Sequence, residues 1–198
     1  MKQIVFATNN AHKLREIREI LGDGYSVLGL ADLGCTDDIP ETADSFEGNA
    51  LQKAQWVAEH YGLDCIADDS GLEVDALGGA PGVYSARFAG PGHDSAANNA
   101  LLLTRLEGVT DRRARFRTAL VMLRAADGAH IFEGSVEGDI LTSPRGEGGF
   151  GYDPLFQPLG WSKSFAEATP AEKNAISHRG KAVEALRQFL LQENENRL

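Results

Sequence analysis

The sequence predicts an α/β protein, and three observations carry that prediction. Short apolar runs stop at polar turns, as buried strands do. Between those runs, apolar residues recur at helical spacing. Farther along, two long strand-like stretches flank an Asp-Gly turn. At 198 residues the chain makes one domain or two tightly joined lobes and can bury a sizeable core.

Ile4, Val5, Phe6 and Ala7 form the first buried run, and Thr8-Asn9-Asn10 stops it. Leu14, Ile17, Ile20 and Leu21 then place a helix from about Asn10 onward. A strand, a polar turn and a helix in that order present backbone N–H groups and the positive dipole end to an anion. Lys13 falls in the first turn, where a cation opposes the dipole. It reads either as an ordinary exposed lysine or as a phosphate ligand. Residues 25–30 are a second strand, followed by an acidic loop over 31–44 with Asp37, Asp38, Glu41 and Asp44. Asp44 and Glu47 have the spacing of a capping box. The helix behind them puts Phe46, Ala50, Ala54, Val57 and Tyr61 on one face, with Asn49 and Lys53 one turn apart on another. Lys53 is solvated by default and a phosphate ligand by alternative.

Cys65, Ile66 and Ala67 run into Asp68, Asp69, Ser70 and Gly71, the pattern of a buried strand that ends in a tight turn. Ligands in open α/β sheets sit at such strand ends. Two carboxylates suit Mg²⁺, and Gly71 permits a sharp turn or a close ligand approach. Taken alone, the tetrapeptide equally suits an acidic loop that caps a helix.

Residues 78–87 form an irregular glycine- and proline-containing connection. Asp94 or Ser95 caps a helix that runs to Leu106. Strands follow over 114–123 and 131–141, with Asp127-Gly128 as the hairpin turn. Arg113, Arg115 and Arg117 share one strand face, read as ion-paired or solvated. The glycine-rich stretch 146–154 presents Phe150, either for stacking on a base or as a core aromatic, and Asp153, either for a base edge or as a turn cap. Thr169-Pro170-Ala171-Glu172 is a strong helix start. Ser177-His178-Arg179-Gly180 opens the last helix, whose apolar face is Val183, Leu186, Phe189 and Leu190. Its donors suit an anion or carbonyl oxygens. The tail after Leu191 is expected to fray.

A net charge of −10 excludes a general binder of nucleic-acid backbones, which needs a basic face. A small anionic substrate is still allowed, because a metal and a few local cations reverse the potential inside one cleft. Cys35 and Cys65 lack metal-ligand spacing and are expected to be reduced and structural. The N-terminal apolar run is too short for a signal peptide or a membrane span, so a cytoplasmic protein is expected.

In order along nearly the whole chain, these motifs resemble those of the inosine triphosphate pyrophosphatase family, which clears non-canonical purine nucleotides. The likeness rests on Thr8-Asn9-Asn10 with Lys13, Asn49-Ala50 with Lys53, and Ala67-Asp68-Asp69-Ser70-Gly71-Leu72. It continues through 78–87, Gly148-Gly149-Phe150-Gly151-Tyr152-Asp153-Pro154, and Lys173 with Ser177-His178-Arg179-Gly180. The chain departs at Gly48, where relatives commonly carry glutamate, and at Ala43, where they often carry glycine.

The resemblance implies an α/β fold with a mixed sheet flanked by helices, elongated and two-lobed around a central cleft, the whole chain forming one such domain. It implies a homodimer and Mg²⁺-dependent hydrolysis of ITP, dITP and XTP to the monophosphate and pyrophosphate. Carried over residue by residue, Thr8, Asn9, Asn10, Ala11, His12, Lys13 and Lys53 hold the triphosphate, and Ser70 also binds the substrate. Glu41, Asp68 and Asp69 bind the metal, and Asp69 accepts the proton of the attacking water. Phe150 stacks on the purine, Asp153, Lys173, His178 and Arg179 read its edge, and Gly151 and Tyr152 also bind the substrate. The alternative is a non-catalytic nucleotide-binding module; Lys13, Asp68 and Asp69 together favour the enzyme.

Overall fold

The computed structural model describes residues 2–195. The described residues form six strands and five α-helices in the order β1 (Lys2–Phe6), α1 (Ala11–Leu21), β2 (Tyr25–Leu28), α2 (Phe46–Tyr61), β3 (Cys65–Val74), α3 (Ser95–Arg105), β4 (Arg113–Arg124), β5 (Gly128–Ile140), β6 (Phe156–Pro158), α4 (Pro170–Ile176) and α5 (His178–Glu195). The strands lie in the order β2-β1-β3-β4-β5-β6. β1 runs parallel to β2 and β3, and β6 runs antiparallel to β5, so the sheet is mixed. No helix among the described residues is long and apolar enough to cross a membrane.

The chain divides into two compact units. The first holds the chain up to Asp69, Thr118–Gly134, and the chain from Arg179 on. The second holds Ser70–Arg117 and Ser135–His178. In the first unit, strand alternation builds two apolar layers. Ile4, Phe6, Ile66, Leu120 and Met122 pack with Ile17, Leu21, Val183 and Leu186 of α1 and α5. The alternate residues Val5, Ala7, Cys65, Ala67 and Val121 pack with Ala50, Ala54 and Val57 of α2. Both cysteines are free and buried in this second layer. Burial, with a smaller contribution from Asp64, pushes the Cys65 thiol up to about 12, so it is protonated and inert. The second unit has its own core of Leu72, Val74, Leu102, Leu106, Phe116, Ile140, Phe156 and Phe165. Its sheet surface carries the arginine face, and of the two readings ion pairing is what the structure shows: Arg113 meets Asp111, Arg115 meets Asp75 and Glu137, and Arg117 meets Glu73.

Three local expectations need correction. Asp68-Asp69-Ser70-Gly71 makes no turn, because β3 continues through it to Val74. Fully buried Leu72 and Val74 lie just beyond, and their burial outweighs the turn preference of the polar residues. The cap of α2 is Ser45, whose Oγ accepts the Gly48 N–H at 3.0 Å, so Glu47 falls one position short of closing a box with it. Finally, α5 continues past Leu191 to Glu195, and the expected fraying of 196–198 lies outside the described residues.

Candidate active site

The first constellation is assembled from β3, α1, α2 and α5. Successive strand residues point to opposite faces. Asp68 therefore follows Ile66 toward α1 and α5, and Asp69 follows Ala67 toward α2. Fully buried Asp68 accepts from Lys13 Nζ at 3.2 Å and from Arg179 Nε at 3.3 Å. Arg179 also pairs with Glu16, one turn beyond Lys13 on α1. On the other face, Asn49 Nδ2 donates to Asp69 Oδ2 at 2.9 Å. Lys53 Nζ donates to Glu41 Oε1 at 2.7 Å and to the Asp68 carbonyl oxygen.

The electrostatics follow from this burial. Burial raises the Asp69 carboxyl above the usual range, and nearby Glu41 adds to it; Lys53, Lys13 and the Asn49 hydrogen bond oppose the shift without cancelling it. Burial lowers the Lys13 ammonium, with Lys53 and Arg179 adding to the effect and Asp68 opposing it. Burial also acts to lower Lys53, but Asp68, Glu41 and Asp69 together outweigh it and hold the ammonium above its ordinary value.

Three features of this region bear on the expected site. Asp68 lies on the sheet face opposite Asp69 and is engaged there by Lys13 and Arg179. Among the described residues, no group of three or more His, Cys, Asp or Glu side chains stands where it could hold a metal. Asp69 and Glu41 still fit Mg²⁺, which needs one or two carboxylates when phosphates complete its shell. Second, Arg179 pairs with Asp68 and Glu16, which hold its guanidinium within the first unit. Third, the start of α1 is capped by its own sequence. Asn10 Oδ1 accepts from the His12 and Lys13 N–H groups, and Thr8 Oγ1 accepts from the Asn10 N–H. An anion at this exposed turn, which also carries Asn9 and Ala11, therefore competes with the Asn10 side chain.

The second constellation lies in the other unit, around the 146–153 loop. Asp153, nearly fully buried, accepts from Lys173 Nζ at 2.7 Å and from the Phe150 N–H at 2.9 Å through the same oxygen. Lys173 Nζ also lies 4.6 Å from the Phe150 ring centre. Gly149 makes this possible: its φ is +67°, and a Cβ there would sit 2.1 Å from Asp153 Oδ2. The capping box of Thr169 and Glu172 fixes the turn of α4 that carries Lys173. Tyr152 donates its hydroxyl to the Ser85 carbonyl at 2.7 Å, and burial raises its pKa, so it remains a donor. His178 is buried and stacked on Phe116, with ring centres 4.9 Å apart. Ser70 is half-buried within β3, and Gly151 follows Phe150 with φ +60°.

Sequence reading missed Glu16 and the structural part of Asn49. Glu16 is one helical turn from Lys13, which was the available signal. The departures at Ala43 and Gly48 form one packed pair: a Cβ on Gly48 would lie 2.7 Å from the Ala43 Cβ. Any glutamate side chain at 48 is excluded while Ala43 is present in this geometry.

The model of the Ham1 family matches residues 4–189. A dITP/XTP pyrophosphatase of Porphyromonas gingivalis is 53% identical over 192 residues, covering 96% of this chain and 98% of the relative. One of Bacillus subtilis is 48% identical, with the same coverage of both chains. The solved Ham1 protein of Staphylococcus aureus superposes with a TM-score of 0.88 at 41% identity, covering 97% of this chain and all of that one. The order of its motifs, its mixed sheet and these likenesses along nearly its full length agree, and the chain belongs to the Ham1 family.

Proposed function

We propose that this chain hydrolyses non-canonical purine nucleoside triphosphates, ITP, dITP and XTP, to the monophosphate and pyrophosphate. The observation that carries the reading is the buried, proton-retentive Asp69 carboxylate set among Asn49, Lys53 and Glu41. The names of its relatives as dITP/XTP pyrophosphatases support the substrate class.

In this reading Asp69 accepts a proton from the water that attacks the α-phosphorus, and the bond to the pyrophosphate breaks. A carboxylate above its ordinary pKa is a stronger base than one in water. Lys53 and Lys13 place positive charge against the phosphates, and Lys13 leaves Asp68 for the substrate. Asp69 and Glu41 would hold Mg²⁺, which supplies charge neutralisation to the leaving pyrophosphate. Phe150 stacks on the purine, stacking worth roughly 1–3 kcal/mol in nucleic-acid sites. Lys173 and His178 donate toward a 6-oxo group. Adenine presents a 6-amino donor instead, and a site of unpaired donors rejects such a mismatch by as much as about 10⁴-fold. The reading includes a homodimer and a cytoplasmic location, as the resemblance implies.

The test is pyrophosphate release from ITP, dITP, XTP and ATP with Mg²⁺, for the protein and for Asp69→Asn. Fast release from the first three, slow release from ATP and loss in the variant are expected. ITP binding without any turnover would replace the hydrolase by a nucleotide-binding module.

A further inference from the structure

The loop that carries Phe150 is held from a helix that none of the motifs includes. Asn99, on α3, donates from Nδ2 to the Gly151 carbonyl oxygen at 3.1 Å. Gly151 follows Phe150 directly and has a positive φ, so it has no side chain of its own to anchor the backbone there. The other end of the same amide, Asn99 Oδ1, is buried and has no hydrogen-bond partner among the described residues. Leaving a buried carbonyl unpaired is unfavourable, and an alanine on α3 would avoid it. What the amide contributes is therefore its donor.

The surroundings make α3 a firm base for that donor. Asn98 Oδ1 accepts the Ala89 N–H at 2.7 Å, and its Nδ2 donates to the Ala86 carbonyl at 3.0 Å. Ser85, in the same segment, accepts the Leu72 N–H of β3 on its hydroxyl and the Tyr152 hydroxyl on its carbonyl. The segment after Phe150 is thus held twice, at the Gly151 backbone carbonyl by Asn99 and at the Tyr152 side chain by Ser85.

We propose that Asn99 is a positioning residue for purine recognition: by holding the Gly151 carbonyl it sets where the Phe150 ring is presented above Lys173. The proposal rests on Phe150 being the purine platform. It makes α3 a determinant of base selectivity although no α3 side chain reads the base.

The experiment compares Asn99→Ala, Asn99→Asp, Phe150→Ala and Phe150→Ala/Asn99→Ala on ITP and ATP, with thermal melts of each. Asn99→Asp keeps the shape and loses the donor. Both Asn99 variants are expected to raise KM for ITP about three- to tenfold, the loss of one hydrogen bond. We expect kcat nearly unchanged, a lower ITP-over-ATP ratio and melting close to the parent. The Asn99 effect should vanish in the Phe150→Ala background. If Phe150→Ala impairs ITP use and the Asn99 variants do not, the platform stands and the positioning role is overturned. An equal Asn99 effect in both backgrounds overturns it too, since that marks general destabilisation. An unimpaired Phe150→Ala removes the platform, and the proposal with it.

Discussion

Asp68 and Asp69 are adjacent in the chain and are used on opposite sides of the sheet. Asp68 neutralises Lys13 and Arg179, and Asp69 sits with Asn49, Lys53 and Glu41. The difference is one of strand pleat, since each residue along β3 turns its side chain by half a period. Raising the pKa of Asp69 has a cost in stability. A carboxyl that holds its proton more tightly folded than unfolded contributes stability below the ordinary carboxylate pKa, and loses it as pH rises through the raised folded value. At neutral pH its ionised form therefore opposes folding. Asp69→Asn should lack pyrophosphate release when assayed with Mg²⁺, and in metal-free melts it should gain melting temperature relative to the parent as pH climbs from acid to neutral. A stability difference independent of pH would contradict this origin of the shift. From sequence, Asp69 was legible as a carboxylate behind a buried apolar run, but the separation of its neighbour was not. That separation depends on β3 continuing where the residue types call for a turn.

Elements whose start is written locally were legible. Asn10, Asp94 and Thr169 each cap the helix expected behind them. The start of α2 was misplaced by one residue because Asp44 and Ser45 are both competent caps, and local chemistry does not choose between them. The choice goes with Ser45 in extended backbone and with Gly48 packed against Ala43. That contact sits between the loop bearing Glu41 and the helix bearing Asn49 and Lys53. Gly48→Ala should therefore cost about 1–3 kcal/mol by overpacking. Adding Ala43→Gly should restore most of the loss, read from urea denaturation midpoints. Additive losses in the double variant would show that the two positions do not share that space.

At the scale of the whole molecule, the buried ion cluster brings together segments far apart in the chain. Glu16 on α1, Asp68 on β3 and Arg179 at the start of α5 meet around one guanidinium that is 1% exposed. Removing one partner of a buried pair costs about 3–5 kcal/mol, because the remaining charge loses its compensation. Glu16→Ala should show a loss of that order in denaturant unfolding, and Glu16→Gln a smaller one, since its amide oxygen still accepts. A neutral Glu16→Ala would mean that Arg179 is satisfied without Glu16. The sequence by itself determined the α/β class, most element starts and the family's ordered motifs. These depend on hydrophobic period, caps and residue chemistry within a few positions of one another. Only the tertiary structure decided that β3 runs on through its acids, that Lys53 is buried rather than solvated, and that Arg179 belongs with Asp68 and Glu16. Each of these depends on which distant side chains fill a buried space, and burial converts a lysine or arginine that water would otherwise hold into one that must find a carboxylate.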